Sequence, residues 1–206
     1  SDVVLDLARR YQLPIETVDG PQQERLRQQL SRRDKLQRAL ALASGWFRSQ
    51  LRSPAGQEAL NYLTDQRGLS PAVQDAFELG YAPDQWDGLL KHLQQVEGLA
   101  PELLESAGLV VPRKGGNGFY DRFRHRVIVP IHDRQGRVIG FGGRSLDGSE
   151  PKYLNSPETE VFEKGKHLFG LDKASNAIRK DDRAVVVEGY FDCLLYTSPS
   201  PRDVRS

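Results

Sequence analysis

A short basic stretch of the chain concentrates side chains that bind phosphate groups. Between Arg113 and Arg144 the sequence has eight basic residues against two acidic ones, although the net charge of all 206 residues is only +1. The eight are Arg113, Lys114, Arg122, Arg124, Arg126, Arg134, Arg137 and Arg144. Arginine binds phosphate through paired hydrogen bonds, so this composition is typical of a surface that contacts a nucleic-acid backbone. The alternative is a solvated edge strand whose charge merely prevents aggregation.

A second group of chemically interesting side chains is the carboxylate pair Glu188 and Asp192. Glu188 follows the apolar run 184–187, which predicts a buried strand of a parallel sheet, and Gly189 comes next. Open α/β sheets bind ligands at the carboxyl ends of their strands, so Glu188 would lie at a ligand crevice. The alternative is a glutamate that is simply solvated at the end of a strand.

Composition argues against several other kinds of site. One cysteine and four scattered histidines offer neither zinc-ligand spacing nor an intramolecular disulfide. His125 and His132 have no serine, cysteine or second ligand at motif spacing, so we expect packing or solvated roles for them. No apolar run approaches the roughly 18 residues of a membrane span, and no signal peptide is recognisable, so we expect a cytoplasmic protein. The sequence has no methionine, and we therefore expect a fragment.

A β-hairpin is predicted to position the basic side chains. The stretches Val127 to Ile131 and Arg137 to Gly143 are rich in strand-forming residues. Asp133 and Gly136 lie between them, where a type I turn favours a side-chain acceptor first and a glycine last.

The second strand of this hairpin has an unusual face. Alternation places Arg137, Ile139 and Phe141 on one side, and it places Val138, Gly140, Gly142 and Arg144 on the other. Glycine weakens a strand, so two glycines on one face indicate the close approach of another backbone or of a ligand.

The segment 151–157 is bracketed by prolines and is predicted to be extended. Lys152, Tyr153 and Asn155 are a cation, an aromatic ring and an amide on this stiffened strand. Such a set suits backbone contact and base stacking on a single nucleic-acid strand. The alternative is an irregular connector in which Tyr153 is buried.

The rest of the chain is predicted to be mainly helical. A short helix at Val3 to Tyr11 precedes a linker at Thr17 to Gln23, and Leu26 to Leu51 shows long helical periodicity. Shorter helices are predicted at 58–66, from 71 to about 80, 86–94, 101–107 and 172–179. The predicted fold class is α+β or α/β, with N-terminal helices, a mixed sheet containing the hairpin, and a further parallel strand near the end.

Three blocks of the sequence closely resemble one known family. YDRFRHRVIVPIHDRQGRVIGFGGR, PKYLNSPET and VVVEGYFD occur in the order and spacing of the RNA polymerase core of bacterial replicative DNA primases. The resemblance runs, more weakly, from about residue 35 to Asp192. VVVEGYFD is similar to the opening motif of the TOPRIM fold, which these primases share with some topoisomerases and nucleases.

The resemblance implies roles for individual residues. The residues that would hold template and nucleotide are Arg67, Arg122, Arg124, Arg144, Lys152, Tyr153, Asn155 and Lys164. Glu188 would coordinate Mg²⁺ or handle a proton, and Asp192 would assist. The family completes this metal site with an Asp-x-Asp pair from a later strand, which the sequence does not contain. Without the resemblance, Arg67 would be an ordinary last-turn cation favoured by the helix dipole.

The resemblance also implies a domain layout and partners. Residues 1–24 would be an interdomain linker, 25–180 the N-terminal subdomain of the core, and 181–192 the start of a truncated TOPRIM domain. We expect 193–206 to be a non-native tail, in which two Ser-Pro steps forbid a helix. The parent would synthesise RNA primers on single-stranded DNA from ribonucleoside triphosphates, with an upstream zinc module and a replicative helicase as partner. We expect the chain itself to bind DNA weakly and to polymerise nothing.

Two other classes of protein stay open at this point. Another TOPRIM enzyme, such as a topoisomerase or a phage primase-helicase, would share the strand-Glu-Gly motif but not PKYLNSPET. A non-catalytic module that binds single-stranded nucleic acid would use the basic hairpin alone.

Overall fold

The computed structural model describes residues 20–196, without the side chains of residues 20–23 and 26. The chain forms two compact units that divide between Asp34 and Lys35. Along the described range, no helix combines the length and apolar composition needed to cross a membrane. The predicted helix from Val3 to Tyr11 lies outside the described residues.

Helix α1, Gly20–Leu51, is the longest element, and it makes residues 20–24 of the predicted linker helical. Pro21 fits the first turn because its missing N–H has no partner there in any helix. In the second unit the buried side chains of α1 recur every three or four residues, as predicted: Leu36, Leu40, Ala43, Phe47 and Leu51. Leu30, in the first unit, was predicted to lie on the same apolar face, but it is 55% exposed, so the prediction is wrong for this residue.

Shorter helices follow in the second unit. They are α2 (Gln57–Asn61), α3 (Pro71–Ala76), α4 (Gly88–Gln95), α5 (Pro101–Ser106), α6 (Leu171–Asp181) and α7 (Tyr190–Tyr196). A π-helical turn, Tyr62–Gln66, continues α2. Ser70 caps α3 as predicted, since its hydroxyl accepts a hydrogen bond from the Val73 amide at 3.4 Å.

The main sheet has four strands. From one edge of the sheet to the other they are β1 (Gly80–Ala82), β4 (Arg126–His132), β5 (Val138–Ser145) and β6 (Tyr153–Asn155). All of these pairs are antiparallel, as is the separate pair β2 (Val110–Pro112) and β3 (Phe119–Asp121). The α+β class is therefore confirmed, although the described strands form antiparallel sheets and not the mixed sheet that was predicted.

The predicted hairpin is β4 and β5. The Gly136 amide donates to the Asp133 carbonyl at 3.0 Å, and the Asp133 carboxylate accepts from the amides of Gln135 and Arg137. Arg137 was predicted to begin the second strand, but β5 begins at Val138, and the Arg137 guanidinium pairs with the Asp133 carboxylate at 2.7 Å. The extended conformation predicted for 151–157 contains β6, which pairs with β5.

The predicted strand before Glu188 is absent from the described structure. Residues 184–188 are irregular, and Val185 and Val186 are 69% and 81% exposed. A parallel strand needs neighbouring strands that complete its hydrogen bonds, and the described residues supply none beside this segment. Downstream, α7 extends to Tyr196, so the predicted helix-forbidding effect of the Ser-Pro steps does not reach 193–196. Leu194 is fully buried.

Candidate nucleic-acid interface

The glycine-rich face of β5 is covered by side chains of the chain itself. A Cβ at Gly142 would lie 2.5 Å from Cε2 of Tyr190, and one at Gly140 would lie 3.2 Å from Ser156 and 3.3 Å from Phe162. The close approach that the glycines predicted is made by side chains of the protein itself. Gly140 and Gly142 are therefore covered and do not form an open surface for a ligand. The sequence predicted the need for small residues but could not identify what fills the space.

Tyr190 connects the acidic segment to the edge strand β6. Its hydroxyl donates to Oδ1 of Asn155 at 3.1 Å, and its ring meets the Phe169 ring edge-on with centres 5.0 Å apart. Asn155 pairs with Gly142 in the sheet, so one tyrosine contacts both strands. Burial raises the pKa of Tyr190, which keeps the phenol neutral. Because Tyr190 is two residues from Glu188, this contact holds the predicted catalytic segment against the sheet.

Five side chains form a continuous stack, which we call the arginine–aromatic ladder: Phe191, Arg67, Tyr62, Arg144 and Tyr153. The guanidinium carbon of Arg67 lies 4.7 Å from the ring centre of Phe191 and 5.3 Å from that of Tyr62. That of Arg144 lies 5.8 Å from the Tyr62 centre and 5.2 Å from the Tyr153 centre. Stacking of this kind orients a guanidinium while leaving its N–H donors available for phosphate.

Each arginine of the ladder is fixed by a further hydrogen bond. Nε of Arg67 donates to the Tyr62 hydroxyl at 2.7 Å, and a terminal nitrogen of Arg144 donates to the Ser145 carbonyl at 2.7 Å. The buried Nε of Arg144 has no hydrogen-bond partner within residues 20–196. The ion pairs of the described chain leave out Arg67 and Arg144, so neither positive charge is neutralised there by a neighbouring carboxylate.

Arg144 opens onto a groove of about 500 Å³. Its walls are formed by Glu58, Asn61, Tyr62, Gln66, Arg144, Ser145, Leu146 and Gly148. Tyr153 is 46% exposed, and Lys152 is exposed with no ion pair in the described chain. The structure therefore brings Arg67, Arg144 and Tyr153 together in one stack. Lys152 is the residue before Tyr153, and Asn155 contacts Tyr190 of the acidic segment.

Arg122 and Arg124 lie elsewhere, just after the end of β3. The Arg124 guanidinium carbon is 4.5 Å from the Trp86 ring centre and 5.1 Å from that of Tyr120. Burial lowers the pKa of Arg122, whose buried Nε has no partner among the residues that the structure describes. Lys164 is exposed in the short turn Lys164–Lys166, and no described contact joins it to the ladder.

Several residues of this surface were missed by the sequence reading. Tyr62, Trp86 and Tyr190 have structural roles that local pattern does not indicate. Tyr62 precedes Arg67 by five residues, and only the π-helical turn brings the two side chains into contact. A packing role for Tyr190 could have been predicted, because a large aromatic ring next to acidic residues needs a partner to pack against.

The predicted metal site is only partly represented. Glu188 and Asp192 are both exposed, and Oδ2 of Asp192 lies 2.9 Å from where a Cβ on Gly189 would be. Mg²⁺ requires several oxygen ligands in nearly octahedral geometry. The described part of the chain has no group of three or more His, Cys, Asp or Glu side chains that could hold a metal. These two carboxylates therefore do not make a complete site by themselves.

Comparison with known proteins gives a consistent picture. Residues 46–175 match the family of the DNA primase catalytic core, N-terminal domain. The chain is 57% identical over 194 residues to DNA primase of Synechococcus elongatus, and 41% identical over 198 residues to DNA primase of Escherichia coli K12. These matches cover 94% of the chain but only 28% and 32% of the relatives, so the chain spans about a third of their length or less.

Solved structures show the same similarity. The RNA polymerase domain of Mycobacterium tuberculosis primase DnaG, in complex with double-stranded DNA carrying a 6-nucleotide overhang, matches with a TM-score of 0.73 and 41% identity. It is matched over 78% of this chain and 50% of that one. A DnaG primase catalytic domain bound to single-stranded DNA matches with a TM-score of 0.71 and 40% identity, over 80% of this chain and 50% of that one.

Proposed function

The chain belongs to the DNA primase family, in the N-terminal domain of its catalytic core, and we propose on this premise that the arginine–aromatic ladder binds single-stranded template DNA. The observation that carries the proposal is the alternation of two arginines, which form no ion pair within residues 20–196, with the buried rings of Phe191 and Tyr62 and the exposed ring of Tyr153. Arginine suits the phosphates, and an aromatic ring accepts any base on its face.

Each residue of the surface has a separate task in this proposal. Arg144 and Lys152 neutralise phosphates, and Tyr153, half exposed at the end of the ladder, stacks on a base. Asn155 uses its oxygen for Tyr190, which leaves its amide nitrogen as the donor for the ligand. Arg67 is held by Tyr62 and Phe191 and extends the positive surface toward the acidic segment.

The parent protein would synthesise RNA primers on this template from ribonucleoside triphosphates. In the parent, Glu188 and Asp192 would contribute to an Mg²⁺ site that needs further carboxylates, and Arg122, Arg124 and Lys164 would add contacts to template or nucleotide. Tyr190 supports the placement of Glu188, because it attaches that segment to β6, the strand that carries Tyr153. An upstream zinc module, a replicative helicase partner and a cytoplasmic location belong to the same proposal for the whole protein.

A binding experiment tests the proposal with two matched double variants. Arg144→Glu with Lys152→Glu reverses two charges at the ladder, and Arg179→Glu with Lys180→Glu reverses two exposed charges in the last turn of α6. Fluorescence anisotropy measures the affinity of each for a labelled oligothymidylate at fixed salt. We expect the ladder variant to lose at least about ten-fold, since each reversal opposes a phosphate contact worth roughly 1 kcal/mol. Equal affinities of the two variants would refute the proposal.

A further inference from the structure

Arg126 is a buried arginine of the basic stretch between Arg113 and Arg144. It is the first residue of β4 and is only 5% exposed, so little of its guanidinium is accessible to a phosphate group at the surface. Burial and, to a smaller extent, the positive charges of Arg124 and Arg144 lower the pKa of Arg126. A buried charge is costly unless the protein supplies partners for it, so the contacts of Arg126 inside the protein indicate its role.

The guanidinium of Arg126 contacts the segment that joins β5 to β6, residues 146–152, which we call the β5–β6 loop. One terminal nitrogen donates a hydrogen bond to the Pro151 carbonyl at 2.8 Å. The negative charges of Asp147 and Glu150, also in this loop, favour the charged form of Arg126 and oppose the lowering of its pKa. Arg126 therefore holds the end of the loop that lies nearest to β6.

Further hydrogen bonds fix the other parts of the β5–β6 loop. The Leu146 amide donates to the His125 carbonyl at 3.3 Å. The Ser145 amide donates to the Lys152 carbonyl at 3.0 Å, and this bond closes the loop at its base. His125 thus holds the beginning of the loop and Arg126 holds its end, so two consecutive residues attach both ends to the start of β4.

The side chain of Arg126 also connects the loop to the arginine–aromatic ladder. A Cβ at Gly143 would lie 3.1 Å from Cδ of Arg126, so this glycine leaves room for the arginine stem beside β5. Tyr153 follows the loop directly, pairs with Arg144 in the sheet and stacks on its guanidinium. A movement of the loop end would therefore move Lys152 and Tyr153 relative to Arg144.

We propose that Arg126 is a positioning residue of the template surface: it does not contact phosphate itself, but it holds Lys152 and Tyr153 in the geometry that binds the strand. This inference rests on the proposed function, because it assumes that those two side chains bind DNA. A loop that is already fixed lowers the conformational entropy lost on binding, since its side chains do not have to be ordered when the strand arrives.

A double-mutant cycle distinguishes positioning from direct contact. Arg126→Met keeps an apolar stem and removes the donors. We expect it to weaken binding of the labelled oligothymidylate at least about three-fold, because the released side chains must be ordered on binding. In the background Lys152→Ala with Tyr153→Ala, the same substitution should cause no further loss. An equal loss in both backgrounds would show a direct contact and would overturn the proposal.

Salt dependence gives a second, independent measurement. In Lys152→Ala, which lacks the lysine contact, Arg126→Met should leave the slope of log affinity against log salt concentration unchanged. A phosphate contact made by Arg126 itself would instead lower the magnitude of that slope by about 0.7. Arg179→Met, which removes an exposed charge of α6, is the matched control and should change neither affinity nor slope.

The same titrations separate this inference from the proposed function. If Lys152→Ala with Tyr153→Ala weakened binding but Arg126→Met did not, the positioning role would fail and the ladder would stand. If the unmodified protein did not bind the oligonucleotide, both would fail. Circular dichroism checks that each variant is folded. Should Arg126→Met not fold, Arg126→Gln, whose amide is too short to reach the Pro151 carbonyl, takes its place in the cycle.

Discussion

The hydroxyl of Tyr190 lies 3.1 Å from Oδ1 of Asn155, and this one hydrogen bond joins the acidic segment of the chain to β6, the strand that carries Tyr153. The tyrosine ring can reach that position only because the neighbouring strand has a glycine, Gly142, beneath it. The glycine at position 142 therefore leaves room for Tyr190, which holds the segment that contains Glu188 against β5 and β6.

Replacing Gly142 with alanine should displace Tyr190. The new Cβ would lie 2.5 Å from Cε2 of the ring, and neither the sheet nor the packed ring can move without losing contacts. We expect the free energy of unfolding to fall by about 1–3 kcal/mol, as for other overpacked sites. Urea denaturation measures the change.

Gly45→Ala is the matched control for this substitution. Gly45 lies within α1, and a Cβ there meets nothing within 4 Å. Alanine should therefore stabilise the helix by about 1 kcal/mol. A Gly142→Ala variant that is as stable as the unmodified protein would show that Tyr190 is not seated on this glycine.

Tyr190→Phe removes only the hydroxyl that binds Asn155. The loss should be about 0.5–1.5 kcal/mol in the free energy of unfolding, the usual contribution of one partly buried hydrogen bond. Urea denaturation of Tyr196→Phe provides the comparison, because Tyr196 is 76% exposed and its substitution should change stability by less than about 0.5 kcal/mol. Equal effects of the two substitutions would contradict the structural role of the Tyr190 hydroxyl.

Asp121 should make the protein less stable as the pH rises through the acidic range. Its pKa is about 6 in the folded protein against 3.8 for the unfolded reference, mainly because of burial. Between these values the folded state binds more protons than the unfolded state, so its stability decreases with rising pH. The decrease amounts to about 3 kcal/mol at most. The Asp121→Asn variant lacks this titrating carboxyl group. Urea denaturation of both proteins across this pH range gives the difference in their free energies of unfolding, which isolates the contribution of Asp121.

Asp147 provides a control of opposite sign. Its carboxylate accepts hydrogen bonds from the Ser149 amide and the Ser145 hydroxyl, and these bonds lower its pKa. The contribution of Asp147 is present at neutral pH and is lost as the pH falls through the lowered folded pKa. If Asp121→Asn and Asp147→Asn shifted the pH profile in the same direction, the environment assigned to Asp121 would be wrong.

Lys152→Ala should weaken DNA binding in a salt-dependent way. Each phosphate contact contributes about 0.7 to the slope of log affinity against log salt concentration on single strands. Removing Lys152 should therefore lower the magnitude of that slope by about 0.7, with similar loss for every base sequence. Lys180→Ala, which removes an exposed charge of α6, should leave the slope unchanged. Anisotropy titrations at several salt concentrations measure both.

Local pattern was sufficient for much of the architecture. The hairpin of β4 and β5 was predictable because strand alternation and the Asp133 to Gly136 turn act over a few residues, and Ser70 followed by Pro71 specified a helix start for the same reason. The arginines and Lys152 were identifiable as phosphate-binding groups from residue type and from family resemblance. The sequence did not predict that Arg67 and Arg144 would stack with aromatic rings to form the arginine–aromatic ladder.

Relationships between distant residues required the tertiary structure. Strand alternation placed Gly140 and Gly142 on one face, and two glycines there indicated that another group packs closely against the strand. A glycine does not encode which side chain will cover it, and Tyr190 reaches Gly142 only when the intervening chain has folded. The stretch 184–188 shows the reverse case: its apolar composition favours a strand, yet strand hydrogen bonds need neighbours that the described chain does not place there. The sequence by itself thus determined the local elements and the chemical character of the surface, and packing between distant segments decided which groups meet.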